Sequence, residues 1–229
     1  MTASSLVIAI PKGRIGVELV PVLRKVGIEP EAAFFDDSER QLQFSCVNST
    51  ISLIRVRSFD IATFVAFGAA HLGVCGLDVL MEFDYGDLYA PLNLNIGHCR
   101  LSLAQPESPT FTSPASGGGR VGDDLSRISH LRVATKYPKV TQEYFAKKGI
   151  QAECIKLSGA MELAPKLGLA GHIVDLVSSG KTLKANGLKE VEVIADISSR
   201  LIANRAAFKT RSGEMGELIE RFREAVNVV

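Results

Sequence analysis

Hydrophobic residues along the chain fall into two alternating patterns. Short, nearly continuous apolar runs predict buried strands, as at Leu6–Ile10, Ile51–Val56 and His172–Val177. Between such runs, apolar residues recur every three or four positions, as on one face of a helix; the segment 15–26, which Gly27 ends, is an example. Strands that alternate with helices predict an α/β fold with mainly parallel sheets.

The alternation runs in two series that are separated by Gln105–Ser129. This segment has no hydrophobic periodicity and is rich in proline, glycine and serine, which predicts a flexible surface insertion. We therefore expect two lobes, with residues 1–99 and 196–229 in lobe I and residues 100–195 in lobe II. Because α/β proteins bind ligands at strand ends and in clefts, a ligand cleft is expected between the lobes.

Composition and charge exclude several classes of protein. The chain is 46% hydrophobic and 22% charged, which excludes disorder of the whole chain, and its net charge of +1 gives no general attraction for nucleic acid. The cysteines form no CxxC pair and the histidines lack metal-ligand spacing, so no protein metal site is expected. With no signal peptide and no apolar stretch of membrane-spanning length, a cytoplasmic location is expected.

The clearest chemical feature is the loop that follows the strand His172–Val177. Asp175 lies near the carboxyl end of this strand, and hydroxyl residues and Gly180 lead into a helix near Thr182. Free N–H groups at a helix start favour a phosphate, and glycine lets the backbone approach it closely. Asp175 can accept hydrogen bonds from ribose hydroxyls, so the loop predicts a ribose 5-phosphate site. The alternative is that Ser179 and Thr182 only cap the helix.

This loop resembles the ribose-phosphate loop of phosphoribosyltransferases, in which an acidic residue precedes a Thr-Gly-x-Thr-Leu run. Other segments resemble the ATP phosphoribosyltransferase family in order and spacing. They are Ile8–Ile15, Arg57–Ile61, Gly68–Leu80, Ala134–Pro138, Gly159–Pro165, Leu183–Gly187 and Ile197–Ile202. The resemblance covers nearly the whole chain except the 105–129 insertion.

The resemblance implies a two-lobed fold like that of type II periplasmic binding proteins. It also implies the first reaction of histidine biosynthesis, in which phosphoribosyl pyrophosphate (PRPP) and ATP give N1-phosphoribosyl-ATP and pyrophosphate. Mg²⁺ would be carried by the substrate phosphates. The chain is similar to the short form of the family, which implies a homodimer of catalytic subunits. It further implies a regulatory subunit resembling histidyl-tRNA synthetase, in a hetero-octamer.

Site residues are assigned from the matched motifs and from their places at strand ends. Arg14 and Arg57 are expected to be catalytic, because arginine neutralises the charge of pyrophosphate and triphosphate well; the alternative for each is a solvated surface cation. The residues expected to bind ATP are Lys12, Arg14, Arg57, Gly76 and Asp78. Those expected to bind PRPP are Glu162, Asp175, Ser178, Ser179, Gly180, Lys181 and Thr182, with a surface carboxylate as the alternative for Glu162.

Several positions depart from the usual residues of the family, and three of them lie in the first half of the chain. His71 stands where Asp is usual, Ala62 where Pro is usual, and Leu77 where Lys is usual. We expect His71 and Leu77 to lie together on the adenine-nucleotide side, which gives the hypothesis of an intact donor site and an altered acceptor site. Two other functions stay open: a phosphoribosyltransferase with another acceptor, and a non-catalytic two-lobed ligand-binding protein.

Overall fold

The structure is a computed structural model that describes residues 5–36, 38–47, 50–107 and 130–227. The chain divides into two compact units: a first unit of residues 1–98 and 198–229, and a second unit of residues 99–197. The first unit is therefore assembled from both ends of the chain. Residues 108–129, most of the expected flexible insertion, lie outside the described residues.

The secondary structure alternates strands and helices in both units. The strands are β1 (Leu6–Pro11), β2 (Glu29–Pro30), β3 (Gln43–Val47), β4 (Ile51–Val56), β5 (Leu72–Gly76), β6 (Leu88–Asn93), β7 (Cys99–Pro106), β8 (His130–Thr135), β9 (Gln151–Lys156), β10 (His172–Val177), β11 (Leu188–Ile197) and β12 (Ser199–Asn204). The helices are α1 (Arg14–Lys25), α2 (Ser58–Ala66), α3 (Leu77–Phe83), α4 (Pro138–Lys147), α5 (Leu163–Lys166), α6 (Lys181–Ala185), α7 (Arg205–Thr210) and α8 (Ser212–Asn227), and a 3₁₀ helix spans Ala32–Phe35.

Each unit contains one mixed sheet. Among the described residues, the first sheet has the strand order β2-β3-β4-β1-β5-β12-β6 and the second has the order β11-β7-β10-β8-β9. In the first sheet β1 is parallel to β4 and β5, and its other neighbouring pairs are antiparallel. In the second sheet β8 is parallel to β9 and β10, whereas β7 is antiparallel to β10 and β11.

The prediction of mainly parallel sheets is wrong in this detail, although the α/β architecture is as expected. A parallel pair needs a crossover connection of a dozen or more residues, usually a helix. β3 and β4 follow each other too closely for such a crossover, so they pair in antiparallel fashion. The antiparallel pairs of β7 and β12 join strands that are distant in the sequence.

Two other segments differ from their predicted form. The sequence over Ala160–Leu167, closed by Gly168, predicts a helix, but α5 begins only at Leu163, because Ala160 has a positive φ of 53° that interrupts a helix. The sequence over Val191–Ile202 predicts an extended segment, which the structure divides into two strands in different sheets, with Ser198 between them.

Packing on both faces buries the central strand of the first unit. Ile8 and Ile10 of β1 contact the cluster formed with α1 and α8, whereas Ala9 belongs to the cluster formed with α2. The contact between α2 and β5 is close at Gly73, where an added Cβ would lie 2.7 Å from Cγ2 of Ile61. Because both faces are packed closely, the parallel strands cannot shift along one another, and the positions of their carboxyl ends are fixed.

Candidate functional site

The carboxyl ends of three neighbouring parallel strands bring the predicted ATP-binding residues together in the first unit. Pro11, at the end of β1, lies level with Val56 at the end of β4, and the N–H of Lys12 donates to the Val56 carbonyl at 2.9 Å. Arg57 directly follows β4, and Gly76 ends β5 on the other side of β1. Lys12, Arg14, Arg57, Gly76 and Asp78 therefore lie at one edge of one sheet.

The cations at this edge are accessible to a ligand. Arg14 is the first residue of α1, with its side chain 53% exposed and its Nε 3.8 Å from Oε1 of Glu18, which is a weak ion pair. The other carboxylate oxygen of Glu18 accepts from the N–H of Gly97 at 2.7 Å. Lys12 and Arg57 are also exposed. Three positive charges are thus available where the strands end.

Asp78 differs from the other predicted ATP-binding residues because it is buried, at 5% exposure. It lies in the first turn of α3, where a carboxylate stabilises the helix start. Burial, followed by the Asp78 carboxylate, raises the pKa of the Cys75 thiol well above its usual value. Asp78 therefore lies at this edge of the sheet, but its carboxylate is not exposed to a ligand.

A cavity of about 230 Å³ lies between the start of α1 and the 3₁₀ helix, and it includes Lys12 in its lining. Its other notable lining residue is Arg55, which is only 9% exposed and whose Nη1 donates to the Phe34 carbonyl at 2.8 Å. Sequence reasoning did not identify Arg55. The sequence feature that could have identified Arg55 as a buried cation is its position in β4, where it alternates onto the same face as Ile51 and Leu53.

In the second unit, β10 and α6 build the predicted ribose-phosphate loop. Asp175 is half-buried near the end of β10, and its Oδ1 accepts from the Leu176 N–H at 2.8 Å. Gly180 has a φ of 73° and immediately precedes α6, so the conformation of the loop depends on a residue without a side chain. The side chains exposed on this loop are those of Ser178, Ser179, Lys181 and Thr182.

The alternative of simple helix capping has little support in this geometry. Gly180 occupies the N-cap position of α6, and no side chain makes a cap hydrogen bond there. Ser179 Oγ accepts from the Lys181 N–H only at 3.5 Å, which is long for a hydrogen bond. The hydroxyl groups of the loop are therefore not engaged in strong hydrogen bonds with the start of α6.

Glu162 lies on the same side of the second sheet as this loop. It is half-buried and directly precedes α5, without capping it. Its neighbours Met161 and Ala164 share a core cluster with Val177 of β10 and Leu183 of α6. One cluster thus supports both Glu162 and the loop within the second unit.

A charged network beside the loop was also missed by sequence reasoning. Arg100 and Glu190 form a two-pronged ion pair, with Nε to Oε1 at 2.5 Å and Nη2 to Oε2 at 2.6 Å. The hydrogen bond from Arg100 lowers the pKa of the Glu190 carboxyl. Arg100 Nη1 also donates to the Ser178 carbonyl at 3.1 Å. These partners lie 78 and 90 residues from Arg100 in the sequence, so no local pattern indicated them.

The expectation that His71 and Leu77 lie together is wrong. His71 precedes β5 and Leu77 follows it, so the strand separates them by about 20 Å. The Nδ1 of His71 accepts from the Val7 N–H at 3.0 Å, and its Nε2 lies 3.2 Å from Nη1 of Arg211. Burial, and then the charge of Arg211, lower the pKa of His71. His71 therefore belongs to the edge of the sheet opposite the predicted nucleotide residues.

None of the helices in the described part of the chain is both long and apolar enough to cross a membrane. Within the same ranges, no group of three or more His, Cys, Asp and Glu side chains is placed to hold a metal ion.

Comparison with proteins of known fold supports the predicted architecture. The chain is 32% identical to the ATP phosphoribosyl transferase (HisG:HisZ) complex from Thermotoga maritima, with a TM-score of 0.76 over 97% of this chain and 98% of that one. The periplasmic aliphatic sulphonate binding protein SsuA from Escherichia coli gives a TM-score of 0.57 at 13% identity, over 98% of this chain and 69% of that one. The predicted fold, like that of periplasmic binding proteins, is confirmed.

Comparison with curated sequences identifies the family. The family model described as HisG, ATP phosphoribosyltransferase, matches residues 57–224. Proteins named ATP phosphoribosyltransferase are 59% identical in Rhizorhabdus wittichii, over 99% of this chain and 97% of that protein, and 62% identical in Paramagnetospirillum magneticum, over 96% of each. The chain therefore belongs to the ATP phosphoribosyltransferase family.

Proposed function

We propose that this chain transfers the phosphoribosyl group of PRPP to N1 of ATP, giving phosphoribosyl-ATP and pyrophosphate in the first step of histidine biosynthesis. The observation that carries the proposal is the loop between β10 and α6, where a half-buried carboxylate, free hydroxyls and a left-handed glycine come together. This arrangement suits a ribose 5-phosphate, and family membership supplies the reaction.

The donor is assigned to the second unit. The Asp175 carboxylate accepts hydrogen bonds from the ribose hydroxyls, and the backbone at Gly180 approaches the 5-phosphate. The hydroxyls of Ser178, Ser179 and Thr182 donate to phosphate oxygens, and Lys181 adds positive charge. Glu162, on the same side of the sheet, meets the ribose or its Mg²⁺.

The acceptor and the leaving group are assigned to the cations at the strand ends of the first unit. Arg14 and Arg57 neutralise the charge of pyrophosphate and of the ATP triphosphate, and Lys12 assists them. The weak ion pair of Arg14 supports this role, because little is lost when a phosphate replaces Glu18. Gly76 gives the nucleotide access to the backbone, and the buried Asp78 supports the start of α3 from below.

The chemical step needs positioning and charge neutralisation rather than a covalent intermediate. N1 of adenine forms a bond to C1 of the ribose while the bond from C1 to the pyrophosphate oxygen breaks. Positive charge develops on the sugar and negative charge on the leaving group. In this proposal Asp175 stabilises the positive charge on the sugar, and Arg14 and Arg57 stabilise the negative charge on pyrophosphate.

Mg²⁺ is expected to bind through the substrate phosphates. Magnesium commonly keeps several waters and takes one or two carboxylates together with phosphate oxygens. Asp175 and Glu162 are carboxylates of the proposed donor site, so they are the side chains that would meet the ion. When bound, the ion would neutralise the charge of the pyrophosphate leaving group.

A regulatory subunit is the expected protein partner. The similar Thermotoga maritima structure is a HisG:HisZ complex. By analogy, we expect catalytic homodimers of this chain to assemble with a subunit resembling histidyl-tRNA synthetase into a hetero-octamer. As a biosynthetic enzyme, it is expected to work in the cytoplasm.

The direct test is to incubate the purified chain with ATP, PRPP, Mg²⁺ and a pyrophosphatase, with and without a candidate regulatory subunit. Mass spectrometry should detect phosphoribosyl-ATP in at least one mixture. The variant Asp175→Asn should lose tenfold or more in kcat/KM for PRPP, because a charged hydrogen-bond acceptor is removed. Glu153→Gln changes an exposed carboxylate of the same sheet and serves as the matched control.

The alternatives predict different results in the same experiment. Bound PRPP without product in either mixture would point to another acceptor or to a binding protein. A screen of other bases as acceptors would then distinguish these two.

A further inference from the structure

The side chain of Arg100 connects three elements of the second unit. Its guanidinium forms the two-pronged ion pair with Glu190 of β11, and its remaining nitrogen, Nη1, donates to the Ser178 carbonyl at 3.1 Å. Ser102, two residues along β7, donates from Oγ to Oε1 of Glu190 at 2.7 Å. All three nitrogens of the guanidinium are therefore engaged, and its orientation is fixed.

The connection to Ser178 extends the strand pairing into the loop. In the antiparallel ladder of β7 and β10, Arg100 lies opposite Val177, the last residue of β10. The Ser178 carbonyl, one residue further, is where the loop begins. By binding that carbonyl, Arg100 sets the direction in which the chain leaves the strand.

The same network lies beside the ribose-binding carboxylate. Ser102 is opposite Asp175 in the ladder, so their side chains project from the same face of the sheet. Ser102 is 1% exposed and thus provides a rigid neighbour. The network therefore lies beside Asp175 within β10 and binds the loop where it begins, at Ser178.

An irregularity in β11 directs Glu190 toward this network. Glu190 and Glu192, two residues apart, would share a face in a regular strand. The register shifts between them: Glu190 lies opposite Ala104, but Glu192 lies opposite the adjacent Leu103. Glu192 instead pairs with Lys148, just beyond α4. The bulge sends the two carboxylates to opposite faces of the sheet.

We propose that Arg100 is a positioning residue for PRPP, held in place by Glu190 and Ser102, and that it fixes the start of the ribose-phosphate loop. The proposal rests on the proposed function, because it assumes that this loop binds PRPP. Arg100 acts through the Ser178 carbonyl and not on the reacting atoms. Its loss should weaken PRPP binding without a corresponding effect on ATP.

The test compares Arg100→Lys with Ser102→Ala in the full chain, together with the regulatory subunit if the wild type needs one. Lysine keeps the charge but cannot hold Glu190 through two parallel hydrogen bonds and also reach Ser178. Ser102→Ala is a small change that keeps the ion pair and loses one hydrogen bond. The control is Arg132→Lys, whose ion pair with Glu153 joins β8 to β9, on the other side of β10.

The measurements are the Kd of PRPP by calorimetry with Mg²⁺ and the KM values for PRPP and ATP. Arg100→Lys should raise the Kd and the KM for PRPP by about fivefold to tenfold, and Ser102→Ala by about twofold to threefold. The KM for ATP, and all values for Arg132→Lys, should change by less than about twofold.

Equal rises in both KM values, or unchanged PRPP binding in the folded variants, would overturn the positioning role. If Arg100→Lys does not fold, the result for Ser102→Ala decides. A wild-type chain that does not bind PRPP at all would overturn the proposed function, and the positioning role with it.

Discussion

His172 is a buried histidine of the second unit whose charge state depends on folding. It is 3% exposed, and within the described residues its Nε2 has no hydrogen-bond partner. Burial lowers its pKa from 6.5 to about 4. The folded protein therefore holds His172 neutral in a pH range where the unfolded chain binds a proton there.

We predict that this difference makes the protein acid-sensitive. Because the pKa is lower in the folded state, stability is complete above about pH 6.5 and falls as the pH drops toward 4. Between pH 7 and pH 5 the free energy of unfolding should fall by about 2 kcal/mol from this residue. Urea unfolding of His172→Leu should lack that part of the decrease, whereas His98→Gln, at an exposed position, should retain it. Identical pH dependence of His172→Leu and the wild type would contradict the assignment.

We predict that substitution of His71 changes the stability of the fold rather than the binding of ATP. Since its Nδ1 accepts from Val7, its neutral ring carries the proton on Nε2, which then faces an N–H donor of Arg211. His71→Asp should raise the free energy of unfolding by about 1 kcal/mol, because it places an acceptor beside Arg211. The KM for ATP should change by less than about twofold, as measured by steady-state kinetics.

The contrasting variant is Leu77→Lys, which adds a cation at the edge where the strands end. It should lower the KM for ATP if the triphosphate binds there. Equal effects of His71→Asp and Leu77→Lys on that KM would show that the two ends of β5 do not act separately.

Sequence position identified the residues that lie at strand ends, such as Lys12 and Asp175, because a strand end can be recognised from local pattern. It did not identify Arg55 or Arg100, whose importance comes from partners distant in the chain. Nor could it show that Asp78 is buried. Burial of a polar residue depends on what packs over it, and that is a tertiary property.

At the scale of elements, α6 lies between two glycines with positive φ, 73° at Gly180 and 68° at Gly187. An added Cβ would find Val177 Cγ1 at 4.0 Å in the first case and nothing within 4 Å in the second. The two positions therefore carry similar backbone strain when substituted, of about 1 kcal/mol. They differ in that only Gly180 belongs to the proposed phosphate-binding loop.

We predict that Gly180→Ala and Gly187→Ala lower stability to a similar extent but affect PRPP differently. Gly180→Ala should raise the Kd of PRPP about tenfold or more, because the methyl group and the altered φ disturb the backbone that meets the phosphate. Gly187→Ala should leave that Kd within about twofold. Thermal unfolding and calorimetry measure the two effects; equal Kd values for both variants would argue against phosphate binding at Gly180.

The strands and most helices could be predicted from hydrophobic spacing, whereas their pairing direction could not. β10 has a single hydrophobic pattern, yet it pairs in antiparallel fashion with β7 on one side and in parallel fashion with β8 on the other. Direction depends on how the chain is connected, and a periodicity does not encode connection. The start of α5 was predicted three residues too early for a local reason, the positive φ of Ala160.

At the scale of the molecule, the first unit depends on a helix from the far end of the chain. α8 contributes Met215, Leu218 and Phe222 to the core cluster that includes Leu19 and Leu23 of α1. Folding of this unit therefore requires contacts across nearly the whole sequence. The second unit is continuous from residue 99 to residue 197 and has no such requirement.

We predict that Phe222→Ala destabilises the first unit by about 3–5 kcal/mol, since a completely buried ring is removed. Hydrogen exchange should become faster in β1 and α1, and slow exchange in β8 and β10 should persist. Arg223→Ala, on the partly exposed side of the same helix, should change stability by less than about 0.5 kcal/mol. Loss of protection in both units together would contradict independent unfolding.

The bulge between Glu190 and Glu192 makes the length of β11 as important as its composition. Substitutions at most of its exposed positions leave the two carboxylates on their own faces, so side-chain identity there can vary widely. A slip of β11 by one residue against β7 would exchange the faces, taking Glu190 away from Arg100 and Glu192 away from Lys148. We therefore expect β11 to accept many single replacements but no insertion or deletion that shifts its pairing with β7, and residues added for labelling or fusion belong elsewhere.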